Sequence, residues 1–256
     1  MLAGVIGGNE LVRDEHVRYP WRMTPSRGIA VSRRERPTKP ALTREGIIAA
    51  AVAVLRAEGL EKVTMRRLAQ ELDTGPASLY VYVASTADLH AAVLDELLGE
   101  VDLAVGAGSG DWRERVAEVL GSYISVLVAH PALARSAVTS RPSGRHYLRL
   151  LERLLALLDE GGVPAAQAAW GVNILLQVAT ATAAEHSGRD QSPAAKGEWD
   201  ALAQALHGAS ETTRPRVRAL AGSLLAGSPR DRMSWCFRML VNGIASTPVQ
   251  APPREA

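Results

Sequence analysis

Two groups of side chains in this sequence have types and spacings that could do chemistry, and both suit recognition better than bond making. Arg33, Arg34, Arg36 and Lys39 cluster just before Pro40, and Pro37 and Pro40 exclude a regular helix there. Cations on such an extended arm can neutralise phosphates or follow a minor groove. The second group lies between Thr64 and Thr86. There Arg66, Arg67 and the hydroxyls of Thr64, Ser78 and Thr86 stand among Pro76, Ala77, Tyr80, Val81 and Tyr82. These types can meet phosphate oxygens and base edges of a duplex. Catalysis finds no comparable pattern. His90, His130, His146, His186 and His207 show no metal-ligand spacing, Glu185-His186 stands alone, and Cys236 sits in an apolar helical pattern where inert burial is expected. Neither a nucleophile elbow nor a phosphate loop is present, and Gly106-Ala-Gly-Ser-Gly110 follows no strand, so it reads as a flexible joint. The expectation is a chain that is not an enzyme and holds no metal or cofactor.

Those side chains need elements to position them. Ile47, Ile48, Ala51, Val52 and Leu55 form one face of a helix from Thr43, its N-cap, to a stop at Gly59. Met65, Leu68, Ala69 and Leu72 form a second helix, Asp73-Thr74-Gly75 breaks it, and Leu79 and Val83 resume the period. Pro76 suits the first turn of the third helix, with Thr74 or Gly75 as cap. Ser85-Thr-Ala-Asp88 reads as a capping box that opens a connecting helix through Leu89, Val93, Leu94 and Leu97. The second and third helices make a helix-turn-helix, whose second member can lie in a major groove. With Leu79 and Val83 in the core, Pro76, Ala77, Ser78, Tyr80, Val81 and Tyr82 face DNA. Ala77 and Val81 suit thymine methyls, Ser78 either groove edge, and the tyrosines phosphate or base. The helix carries no Arg, Asn or Gln, hence no bidentate base reader.

Here the chain resembles a known family. Leu42-Thr-Arg-Glu-Gly-Ile-Ile48, Ala57-Glu-Gly-Leu60, Val63-Thr-Met-Arg-Arg-Leu-Ala-Gln-Glu-Leu72 and Ser78-Leu-Tyr-Val-Tyr-Val83 look like the N-terminal domain of the tetracycline-repressor (TetR) family. Order and spacing match from residue 42 to residue 98. The resemblance implies an all-helical homodimer that binds a palindromic operator and lets go when a small molecule enters the C-terminal domain. Tyr80 matches the motif's near-invariant Tyr, and Tyr82 stands where His or Tyr is usual. A Lys commonly stands where this chain has Thr86, a departure that shifts salt-dependent affinity towards the arm. Magnesium-tetracycline recognition would require a His near the end of the connecting helix, where this chain has Asp102, so tetracycline itself is not implied.

The charge distribution sharpens the question of phosphate contacts. Lys and Arg number 29 against 27 Asp and Glu, yet no cation occurs between Leu68 and Asp111. Phosphate donors are therefore expected at Arg44, Thr64, Arg66, Arg67 and Thr86, at backbone N–H groups, and on the arm. Hydrophobic content of 47%, carried by Ala, Leu and Val with few aromatics, suits helices and can fill a core in 256 residues. A single cysteine excludes an internal disulfide. No apolar run reaches membrane-spanning length and the N-terminus lacks a signal-peptide core, so a cytoplasmic protein with no membrane partner is expected.

The C-terminal half reads as a helical body. Asp111–His130, Leu133–Thr139, Arg145–Glu160, Pro164–Ser187, Trp199–Leu206, Pro215–Leu225 and Pro229–Ile244 each show helical patterning. The segments 164–187 and 229–244 are apolar on more than one face, which predicts a four-helix dimer interface with a symmetry mate. Tyr123, His130, His146, Tyr147, Trp170, Asn173, Gln177 and Thr180 interrupt apolar helices and are candidate ligand contacts. Asn173, Gln177 and Thr180 share a face by their spacing. This half resembles a TetR-type ligand-binding domain most closely in Pro215–Leu225 and Phe237–Ile244. The expected organisation is a tail with a basic arm over 1–41, a helix-turn-helix domain over 42–104, a helical ligand-binding and dimerisation domain over 111–246, and a second tail over 247–256. The expected function is a DNA-binding regulator, a repressor released by a small hydrophobic ligand. The alternative is an activator, or a regulator answering a protein partner.

Overall fold

Among the described residues, regular structure starts at Thr43: its hydroxyl accepts from the Gly46 N–H at 3.0 Å and opens α1, Arg44–Glu58. The computed structural model describes residues 41–105, 110–139, 142–189 and 194–250. Helix α1 buries Ile47, Ile48, Ala51, Val52, Val54 and Leu55, and Gly59, at φ +89°, turns the chain out. After a single turn over Leu60–Lys62, α2 spans Met65–Glu71 with Thr64 as its cap. The link to the next helix passes through Asp73, which adopts φ +47°, a conformation Asp tolerates better than most residues. Helix α3 is short, Pro76–Leu79, with Gly75 as N-cap, and the chain continues as a turn to Val83. Thus the third helix of the expected trio is a single helical turn, and Leu79 on it and Val83 on the turn after it are both buried in the core.

Helix α4, Thr86–Leu97, starts at Ser85, whose hydroxyl accepts from the Asp88 N–H at 3.1 Å. The expected reciprocal bond falls one residue further back: the Asp88 carboxylate accepts from Ala84 N–H at 3.0 Å rather than from Ser85. Helix α4 packs on α1 and also touches two of the helices that follow it.

The helices after α4 are α5 (Trp112–Val128), α6 (Pro131–Ala137), α7 (Arg145–Glu160), α8 (Ala165–Arg189), α9 (Ala195–His207), α10 (Pro215–Leu225) and α11 (Pro229–Ser246). Among the described residues there is no strand. Helices α5, α7 and α8 form the centre, through Val116, Leu120, Leu127, Leu150, Leu154, Leu157, Leu175 and Ala179, with α6 and α11 packed on α8. Burying such Leu and Val side chains stabilises by about 1.5 to 3 kcal/mol each relative to exposure. At Gly171 on α8, a side chain would stand 2.6 Å from a methyl of Ile244, so the absent Cβ lets α11 approach closely. Gln167 fastens the same place, donating to the Ile244 carbonyl at 2.8 Å. No single described helix is long and apolar enough to cross a membrane.

Candidate nucleic-acid interface and buried polar pair

The helix-turn-helix presents one face with few cations. Pro76, Ala77, Ser78, Tyr80, Val81 and Tyr82 are all exposed, Val81 at 79% and Tyr80 at 52%, while Leu79 and Val83 are buried beneath them. Exposed apolar and aromatic side chains on so short an element contribute little to the core, which leaves them free for a partner. The cations expected to meet phosphate divide into two kinds. Arg67 is already engaged: its guanidinium donates to Glu58 at 2.6 and 3.1 Å and to Glu71 at 2.8 Å. These carboxylates raise the Arg67 pKa further, and Arg67 holds the Glu58 carboxyl below its ordinary range. Arg44 donates to Asp88 at 3.2 Å. Both arginines tie α1 to its neighbours, Arg44 to α4 and Arg67 to α2, instead of standing free. Arg66, beside Arg67 on α2, is exposed and forms no ion pair among the described residues. Thr64 and Thr86 are exposed at the starts of α2 and α4. Arg33, Arg34, Arg36 and Lys39 lie outside the described residues.

Helix α4 is bonded directly to α7. The Asp95 carboxylate, 8% exposed, accepts from the Tyr147 N–H at 2.9 Å and the His146 N–H at 3.3 Å. The N-cap residue of α7 is Gly144, which has no side chain to cap with, so α4 supplies the cap from outside. Glycine is required by space: a Cβ at Gly144 would run into the Asp95 carboxylate, and one at Gly99 would lie 2.8 Å from the His146 ring. Sequence reading missed Asp95. Its signal was an acidic residue flanked by Leu94 and Leu97 in an apolar stripe, opposite a helix start without a cap.

Behind α7, a polar pair stands in the apolar centre. Thr180 donates its hydroxyl to the Leu176 carbonyl at 2.7 Å, which leaves its oxygen to accept from the Tyr123 hydroxyl at 2.7 Å. Burial pushes the Tyr123 phenol up to about 12, and Tyr147 is close enough to add to that shift. His130 stands at the N-cap position of α6 without a side-chain capping bond, and desolvation holds its imidazole below the ordinary value.

Residues 47–93 match the family model described as bacterial regulatory proteins, tetR family, and residues 106–220 match the tetracyclin repressor-like C-terminal domain. An HTH-type transcriptional regulator of Saccharopolyspora erythraea is 34% identical over 217 residues, covering 82% of this chain and 87% of that protein. The chain belongs to the TetR family. Among solved TetR-type structures, a transcription regulator from Streptomyces coelicolor is 60% identical with a TM-score of 0.70, covering 84% of this chain and all of the other. ActR from Streptomyces coelicolor, solved in complex with actinorhodin, is 34% identical with a TM-score of 0.70, covering 81% of this chain and 99% of its own.

As a TetR-family transcriptional regulator, the chain sorts its candidate ligand residues into two sets. Tyr123 and Thr180 are paired in the buried centre, and half-buried Tyr147 stands near enough to raise the Tyr123 pKa. Trp170, Asn173 and Gln177 do not join them: all three are exposed on α8, and Asn173 donates to the Ala169 carbonyl of its own helix. The shared face expected for Asn173, Gln177 and Thr180 lies at the border between the covered and open sides of α8, and Tyr123 covers that border only at Thr180.

Proposed function

We propose that this regulator is a homodimeric repressor, that it binds a palindromic operator through α2 and α3, and that a small hydrophobic ligand entering the body at Tyr123, Tyr147 and Thr180 releases it. In this reading residues 42–104 read DNA, residues 111–246 bind ligand and dimerise, and the protein works in the cytoplasm on a promoter it occludes. The observation that supports it is the link from the buried Tyr123–Thr180 pair to the head: Tyr147 stands near enough to Tyr123 to raise its pKa, and its backbone N–H donates to Asp95 of α4. A ligand that displaces Tyr147 therefore acts on the helix that supports the DNA-reading face.

Dimerisation is supported by the open sides of α8 and α11. Trp170, Ile174, Trp235 and Met239 are exposed there, Trp170 and Trp235 at 65% and 66%. Between the helices runs an apolar groove of about 570 Å³ that includes Gly171, Leu240 and Gly243. Contiguous apolar surface of this kind marks an interface, and two-fold symmetry would present two reading faces to half-sites about 34 Å apart.

The test is a gel shift of the full chain on DNA flanking its own gene, repeated with actinorhodin and a panel of other hydrophobic small molecules, beside a mass measurement in solution. A dimer whose specific shift is released by a compound supports the reading. A monomer at micromolar concentration, or a shift that no compound releases, counts against the corresponding part.

A further inference from the structure

The DNA-reading face combines an apolar surface with a lack of polar readers, and this combination says what it recognises. Ala77 and Val81, four residues apart, lie opposite the buried pair Leu79 and Val83, so both point away from the core. Val81, at 79%, is the most exposed of the large apolar side chains described. From Asp73 to Gly110 the sequence contains no Asn, Gln, Arg or Lys. The polar groups left on the face are the hydroxyls of Ser78, Tyr80 and Tyr82, which donate or accept and so discriminate weakly between bases. Arg67 and Arg44 are held by carboxylates. Arg66 stands on the first helix of the motif, which crosses the DNA backbone rather than entering the groove. The groove edge of a base pair offers one apolar feature, the C5-methyl of thymine.

We propose that Val81 and Ala77 read thymine methyl groups, so that each operator half-site is specified by thymines at the contact made by α3 and the turn after it, and not by guanines. The assignment rests on the DNA-binding reading above and adds to it the chemistry of the base contacted. Replacing thymidine by deoxyuridine removes the methyl and leaves every pairing and groove hydrogen-bonding group in place. Burial of one methyl-sized group corresponds to about a fourfold change in affinity. Two such contacts in a half-site correspond to tenfold or more, about sixteenfold if they add.

The experiment selects duplexes from a random pool with the full-length chain, then remakes the selected site with deoxyuridine at each thymidine in turn. Wild-type protein should lose affinity about fourfold at one or two thymines per half-site and remain unaffected at the others. Val81→Ala, at a position that contributes nothing to the core, should bind with the same folded stability and a smaller thymine-to-uracil ratio at one of them. Leu202→Ala on α9 should keep the wild-type ratio. A site remade with 5-methylcytosine opposite guanine at that position separates methyl recognition from reading of the A·T pair: recovery of affinity there confirms the methyl as the feature read. Specific binding with equal affinity for thymine and uracil sites overturns the proposal and leaves DNA binding standing, as does an unchanged ratio in Val81→Ala. Failure to enrich any sequence removes both.

Discussion

Asp95→Ala should destabilise the protein although Asp95 touches neither DNA nor the Tyr123 pair. The carboxylate is almost fully buried and accepts two backbone N–H groups, at 2.9 and 3.3 Å, at the start of α7. Gly144 offers no substitute cap. Losing an N-cap costs about 1 kcal/mol, losing a negative charge at a helix N-terminus about 0.5 kcal/mol, and orphaning a half-buried N–H about 1 kcal/mol. The sum, about 2 to 3 kcal/mol, lowers Tm by about 5 to 10 °C for a protein of this size. Asp95→Asn keeps one acceptor and the volume, and should lose about half as much. Thermal unfolding reads the loss, and hydrogen exchange locates it: the His146 and Tyr147 amides should exchange faster while those in the middle of α8 change less. Since α4 supports the DNA-reading face, Asp95→Ala should also weaken operator binding with Val81 and Tyr80 untouched. An Asp95→Ala protein that melts with the parent, or whose His146 and Tyr147 amides exchange no faster, would refute the carboxylate as the α7 cap.

Arg66→Ala should flatten the dependence of log affinity on log salt by about one unit, whereas Arg67→Ala, already neutralised by Glu58 and Glu71, should leave the slope nearly unchanged. Equal slopes for the two variants would show that the ion pairs open on DNA. Tyr123→Phe should cost about 1 kcal/mol, because Thr180 keeps its bond to the Leu176 carbonyl. It should also alter the alkaline limb of stability. With the folded phenol near 12 and an unfolded value near 10, the native state holds its proton longer, so this contribution is complete below pH 10 and is lost as the pH rises towards 12. Urea midpoints measured across that range should fall less steeply in Tyr123→Phe than in the parent; parallel curves would remove Tyr123 from the account. Gly171→Val places methyl groups against Ile244 and should cost about 1 to 3 kcal/mol by overpacking. Light scattering should show a monomer fraction absent from the parent, and an unchanged mass and midpoint would mean that α8 and α11 can separate freely.

What the sequence discloses about this protein, and what it conceals, follows from how far apart the interacting residues lie. Thr43, Thr64 and Ser85 cap helices that begin at the next residue, and each bond spans three positions, so residue types in a short window suffice to place α1, α2 and α4. Periodicity likewise places Leu79 and Val83 inside and Val81 outside. The Asp95 cap joins residues 51 and 52 positions apart, and no pattern within α4 says which helix start an acid on its apolar side will meet. Arg67 shows the same limit at shorter range. Its position two residues into the helix-turn-helix marks it for phosphate, but Glu58, nine positions earlier at the end of α1, and Glu71, one turn ahead, both reach it first. A cation's sequence position determines where it can go, and the carboxylates folded around it determine whether it is free to do so. Among the described residues the cation on α2 without an ion pair is Arg66, so under the proposed function salt-dependent affinity is expected at that residue and on the arm, and sequence preference on the uncharged surface of α3 and the turn after it. Affinity and specificity in this regulator then respond to different substitutions: Arg66→Ala should weaken all duplexes by a similar factor, whereas Val81→Ala should weaken chiefly those with thymine at the contacted position.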